Sequence, residues 1–192
     1  MNATVPPHAY IHLTAGGVSV VLDLTGGRLP AIVHWGAALG DLNLADVEAL
    51  AQANIEPPAG NVVDLPVRLS ILPEHHTGGW QTRDRGHRDG TDWSPLFTTT
   101  TLTVDGAEHR SGLVAVGAGE VRVAAHDRVA DLGLVLDIEL LPSGLLRARA
   151  EVTNTGTRST SSTTSSSRSR SRRRPARSST SQAGGGRNGP AA

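Results

Sequence analysis

The chain has 192 residues, enough for one ordinary domain and a tail but not for a (β/α)₈ barrel, which alone takes ~250. Its formal charge of zero is uneven: residues 157–192 carry eight of the eighteen Arg and no acid, leaving ten Arg against eighteen Asp and Glu in residues 1–156. An acidic body of that kind does not suit nucleic acid, whose phosphates call for clustered cations; only the tail has them.

There is no Cys, so neither disulfides nor thiolate metal sites are available to hold the fold. No basic residue precedes Arg28 to begin a leader, and no apolar run approaches the ~20 residues that span a bilayer. The expectation is a cytoplasmic protein with no membrane partner. All eighteen basic residues are Arg and none is Lys, a bias that points to a GC-rich gene.

From the N-terminus, three strands are expected at Tyr10–Thr14, Val18–Leu24 and Leu29–Trp35, parted by Ala15-Gly16-Gly17 and Gly26-Gly27, which supply the positive φ that tight turns need. A helix follows at Leu44–Ala53. Asn43 caps it with Asp46 at the third helical position, and Leu44, Val47, Leu50 and Ala51 form its apolar stripe. Beyond a strand near Val67–Leu72 lies a polar, Gly-rich segment from Pro73 to Pro95. Further strands are read at Leu96–Val104, Val121–His126, Leu132–Leu141 and Leu145–Thr153, with turns at Asp105-Gly106 and Pro142-Ser143-Gly144. Short alternating strands with little helix indicate an all-β antiparallel sandwich.

At Arg158 the composition changes. Residues 158–174 are all Ser, Thr or Arg, and a stretch without apolar side chains cannot offset the entropy of ordering. The reading is therefore a domain over residues 1–156 and a disordered tail over 157–192.

Four segments stand out: Gly27-Arg28-Leu29-Pro30-Ala31-Ile32-Val33-His34-Trp35-Gly36 with Leu39-Gly40; Ile71-Leu72-Pro73-Glu74-His75-His76-Thr77-Gly78-Gly79-Trp80; Arg85-Gly86-His87-Arg88-Asp89-Gly90; and Asp92-Trp93-Ser94-Pro95-Leu96-Phe97. In this order the chain resembles, over most of residues 10–156, the N-terminal domain of glycoside hydrolase family 36, the alpha-galactosidases. The resemblance implies a β-supersandwich of the galactose-mutarotase-like type, which serves as an accessory wall to a catalytic barrel. In that family the barrel holds the two Asp carboxylates of a retaining hydrolase of terminal alpha-D-galactosides, and these 192 residues do not include it. The barrel is then the partner, an alpha-galactoside is bound only by the complete enzyme, and these residues alone are expected to be inactive. In some oligomeric members a loop of the domain reaches a neighbouring subunit's galactose pocket, and segment 73–95 is the region for it.

The chemistry of that segment suits sugar. Trp80 and Trp93 can stack on the apolar face of a galactose ring, while His87, Arg88, Asp89 and Asp92 offer donors and acceptors for its hydroxyl groups. Two plainer readings stand beside it: each Trp as a core or interdomain anchor, and Arg88 with Asp89 or Asp92 as a loop-bracing ion pair. Glu74, His75, His76 and His87 invite a zinc reading, but adjacent His residues on an extended segment point to opposite faces, so no metal and no cofactor is expected. Asp23, Asp41 and Asp46, like Asp105 and Glu108, fall at turn and cap positions that explain them without catalysis.

Other functions remain open to the sequence. One is a freestanding carbohydrate-binding module; another is an interaction protein acting on polyanions through its basic tail. The tail also admits a genetic origin. With GC-rich codons, reading from each third base turns Ser into Val or Leu, Thr into Asp or His, and Arg into Ala or Pro. Residues 158–174 then permit an apolar, β-like string ending in Leu-Pro-Val-Pro, similar to what the family carries after an Asn-Thr-Gly such as Asn154-Thr155-Gly156. On that reading the tail is a frameshift product.

Overall fold

The computed structural model describes residues 8–55, 68, 70–72, 74, 85–88, 95–157 and 160–163, of which 85–88 and 160–163 are described by their backbone alone. In chain order the elements are β1 (Ala9–Ala15), β2 (Val18–Asp23), β3 (Ala31–Ala37), α1 (Leu44–Ala53), β4 (Arg85–Arg88), β5 (Thr98–Val104), β6 (Ala107–Glu108), β7 (Gly112–Val116), β8 (Gly119–Asp127), β9 (Leu132–Leu140), β10 (Leu146–Asn154) and β11 (Thr160–Thr163). They form a four-stranded sheet in the order β3-β2-β1-β7, a five-stranded sheet in the order β10-β9-β8-β5-β6, and a ribbon of β11 with β4.

The two larger sheets face each other across one core. Ala9, Ile11, Leu13, Val20 and Leu22 come from the first sheet, and Leu102, Val104, Val121, Val123, Leu136, Ile138 and Leu140 from the second. These are alternate residues of their strands, so the period-two pattern of the sequence is also the pattern of burial. At its other end no strand lies across the five-stranded sheet among the described residues. There Leu29, Phe97 and Leu72 cover Ala125, Leu132 and Leu134, so residues of the connecting segments act as the lid.

The outer face of the four-stranded sheet carries α1. Asn43 and Asp46 form a complete capping box, Asn43 Oδ1 accepting from Asp46 N at 3.1 Å and Asp46 Oδ2 from Asn43 N at 2.9 Å. Of the expected stripe only Val47 is fully buried, against Tyr10 and Val21, with Ala51 partly packed and Leu44 40% exposed. The helix is held more by its cap and one anchor than by a broad apolar face.

The sheets are also locked at one end by two turns. Gly16, in the β1–β2 turn, has φ +56°, and a Cβ there would meet the backbone carbon of Ser143 at 2.6 Å; Gly144, in the β9–β10 turn, has φ +83°, and a Cβ would meet Val18 Cγ2 at 2.8 Å. Both positions combine a left-handed backbone with a close approach that only glycine allows.

Three features differ from the sequence reading. The structure is not purely antiparallel, because β7 pairs parallel with β1, Ala9 to Gly112 through Leu13 to Val116. Ser70–Leu72 are bends or irregular backbone rather than a strand: Ile71 N–H donates to Pro30 O at 2.7 Å, and Arg68 turns onto Asp23, its Nε 3.1 Å from Oδ2 without hydrogen-bond alignment. The backbone there docks on the β2–β3 connection instead of entering a sheet. Finally, Thr160–Thr163 lie beyond the boundary expected at Gly156, in residues read as disordered, yet form β11 through backbone pairing that needs no apolar side chain.

Candidate functional site

The segment proposed for sugar contact leaves and rejoins the sandwich at a single place. Glu74 is 4% exposed and its Oε1 accepts from Phe97 N at 2.6 Å. Beside it Asp127, 5% exposed, accepts from Leu96 N at 2.7 Å and from Val129 and Ala130 N at 2.8 and 3.1 Å. Phe97 then enters the core with Leu29 and Leu132. Residues 74 and 97 thus stand side by side.

Between them in sequence, His87 and Arg88 lie on β4, with Ser161 opposite His87 and Thr160 opposite Arg88 in β11. Trp80, Asp89, Asp92 and Trp93 lie outside the described residues, as do His75 and His76.

The base uses carboxylates as backbone acceptors. Asp23 Oδ1 accepts from Thr25 N at 2.7 Å while its Oδ2 meets Arg68; Arg68 Nη1 also donates to Thr25 O at 3.3 Å. Thr99 Oγ1 donates to Arg28 O at 3.1 Å. Arg28-Leu29-Pro30, part of the first motif quoted above, is therefore a junction contacted from residues 71 and 99. Sequence reasoning did not find this role for Glu74 and Asp127, since their partners are backbone groups far along the chain. Asp46 and Asp105 do occupy the cap and turn read for them, Asp105 Oδ1 accepting from Glu120 N at 2.8 Å.

A second buried polar group lies under α1's side of the sandwich. His12 Nε2 is 2.9 Å from Ser19 Oγ and 3.1 Å from Thr14 Oγ1, and Ser19 Oγ accepts from Leu39 N at 3.0 Å. Ser19 Oγ thus joins the Leu39 amide to the His12 ring, and Thr14 Oγ1 closes on the same ring nitrogen. Burial holds the His12 pKa below the ordinary histidine value, His34 lowers it further, and Asp41 opposes. Its two hydroxyl partners and the Leu39 amide make it a structural link between β1, β2 and the Leu39 loop.

The model for the "Glycosyl hydrolase family 36 N-terminal domain" matches residues 28–168. The chain belongs to that family. An alpha-galactosidase of Escherichia coli is 32% identical over 124 residues, which are 64% of this chain and 15% of the relative. Among solved structures, the family 36 alpha-galactosidases AgaA and AgaB of Geobacillus stearothermophilus share the fold, with TM-scores of 0.58 and 0.54 at 16% identity; each match covers 78% of this chain and 22% of the other. The chain thus spans a small part of the length of these relatives, and the family 36 N-terminal domain is the part it spans. Among the described residues no helix is long and apolar enough to cross a membrane.

Proposed function

We propose that this domain is the non-catalytic N-terminal β-sandwich of a retaining alpha-galactosidase, packed against the barrel that carries the chemistry. The observation that supports it best is the use made of carboxylates. A retaining glycosidase holds two of them ~5–5.5 Å apart across one glycosidic bond. Here the buried carboxylates among the described residues, Asp23, Glu74 and Asp127, accept hydrogen bonds from backbone amides and hold connections in place. Exposed apolar side chains such as Trp35 at 59% and Val129 at 72% suit a domain with a further surface to meet. Segment 73–95 then serves as the pocket wall, with Trp80 and Trp93 for ring faces and His87, Arg88, Asp89 and Asp92 for hydroxyl groups.

The 192-residue polypeptide, freed of host enzyme, should release no nitrophenol from nitrophenyl alpha-galactoside, and calorimetry should find no sub-millimolar affinity for galactose or melibiose, because a few contacts do not offset the cost of association. Turnover would refute the reading. Tight binding lost on Trp80→Ala or Trp93→Ala would establish a freestanding sugar-binding module instead.

For residues from about 157 onward we propose a frameshifted reading of a gene that continued the family sequence. The support is a mismatch of position and composition. The family match runs on to residue 168 and the fold takes up Thr160–Thr163 as a strand, while residues 158–174 contain no apolar side chain. Translation of the nucleotide sequence in three frames decides it: one frame after Gly156 should continue as an apolar, strand-like sequence of barrel-coding length, and the absence of any such frame returns the segment to a true tail.

A further inference from the structure

β10 is an edge strand of unusual form. It pairs with β9 over nine residues without a register shift, from Leu146 opposite Leu140 to Asn154 opposite Leu132, and among the described residues no strand pairs with its other edge. Edge strands are normally blunted by a proline, a bulge or short length, and β10 has none of these. Its backbone polarity can be assigned from the hydrogen bonds that flank it. Leu141 N donates to Leu145 O and Thr155 N donates to Asp131 O, so odd-numbered residues bond to β9 and the even-numbered residues Leu146, Ala148, Ala150 and Val152 direct N–H and C=O to the open edge.

The side chains alternate in step. Ala148, Ala150 and Val152 continue the core-facing row of Ile138, Leu136 and Leu134 yet are exposed, Val152 at 52%. On the opposite face stand Arg147, Arg149 and Glu151. Arg147 is paired with Glu139, whereas Arg149 and Glu151 have no ion pair among the described residues. Glu151 has Val135 as its cross-strand neighbour, and the nearest cation on its face is Arg149, two residues away on the same strand.

This strand is complementary to itself. We propose that the chain forms a two-fold homodimer in which β10 pairs antiparallel with the same strand of a second copy, centred on Ala150. In that register Ala150 meets the partner's Ala150 and Ala148 meets the partner's Val152, all of them outward-bonding residues, so these pairs exchange about six backbone hydrogen bonds. Arg149 falls opposite the partner's Glu151, and Glu151 opposite the partner's Arg149. These are the non-hydrogen-bonded positions, where side chains come closest. Neighbouring registers lack the match: a centre at Ala148 sets Arg147 against the partner's Arg149, and a centre at Arg149 or Glu151 sets like charges on the axis. A centre at Val152 leaves both charges opposite threonines. The contact is isologous and therefore closes at two copies.

The test is sedimentation of the full 192-residue chain. A monomer–dimer equilibrium is expected in the range of roughly tens of micromolar, since an edge contact is small beside a standard interface. Glu151→Arg or Arg149→Glu alone should give monomers with unchanged thermal melting, because each places two like-charge pairs across the axis. An equimolar mixture of the two variants should restore the dimer, every Arg again facing a Glu. A wild-type chain that stays monomeric at millimolar concentration overturns the proposal and leaves the edge to another segment. So do variants that dimerise as the parent does, or a mixture that stays monomeric.

Discussion

β9 and β10 are neighbouring nine-residue strands with much the same alternation, and they have opposite fates. In β9 the odd-and-even pattern of Leu-Gly-Leu-Val-Leu-Asp-Ile-Glu-Leu is a pattern of buried and half-buried residues; in β10 every residue after Leu146 is exposed. The difference lies across the sandwich. The four-stranded sheet covers Leu136, Ile138 and Leu140 of β9, and Leu29, Phe97 and Leu72 cover Leu132 and Leu134, whereas on β10 only Leu146 packs on the core among the described residues, so burial is set by the opposing layer and not by the strand's own sequence.

The contrast can be sharpened by truncating matched residues. Ile138→Ala on β9 removes a fully buried side chain and should cost roughly 2–5 kcal/mol in denaturant unfolding, whereas Val152→Ala on β10 should stay within about 0.5 kcal/mol when measured in dilute solution. Equal losses would mean that β10 is covered. The hairpin that joins the two strands comes next. Gly144→Ala meets both a positive φ and Val18, so a loss of roughly 1–3 kcal/mol is expected, reported as a lower denaturation midpoint with an unchanged slope.

The smallest effect is one of pH, and it separates the sandwich from its edge. A histidine whose folded pKa is depressed is held neutral by the fold, so its contribution is complete above the unfolded value near 6.5 and fades as pH falls below it toward the folded value. Melting temperature should therefore fall between pH 7 and 5, and less so in His12→Asn. His12 lies within the sandwich and not on β10, so self-association is the part expected to hold while the sandwich loosens.

Much of this fold was legible in local chemistry. The capping box at Asn43 and Asp46, the Asp105-Gly106 turn and the alternation of β9 are signals carried by neighbouring residues, and they lie where the sequence puts them. What escaped was long-range. β7 is five residues of Gly112-Leu113-Val114-Ala115-Val116, with neither alternation nor a turn to announce a parallel partner a hundred residues away. Exposure of β10 was hidden for the same reason, since its sequence alternates like a covered strand. The family was readable from segments 27–40 and 71–97 because their order is specific, but of the six residues proposed for sugar contact only His87 and Arg88 fall among the described ones, and there by backbone alone.

The bond between Glu74 and Phe97 has a consequence for how such a domain can change. Because it fixes both feet of the intervening segment at one point of the sandwich, the geometry of that base is independent of what is strung between them. Doubling the length of such a loop costs only about 0.6 kcal/mol of closure entropy. Changes of length between residues 75 and 84 are accordingly expected to leave the register of the two larger sheets as it is, so that the sequence between these two residues can vary while the sandwich does not.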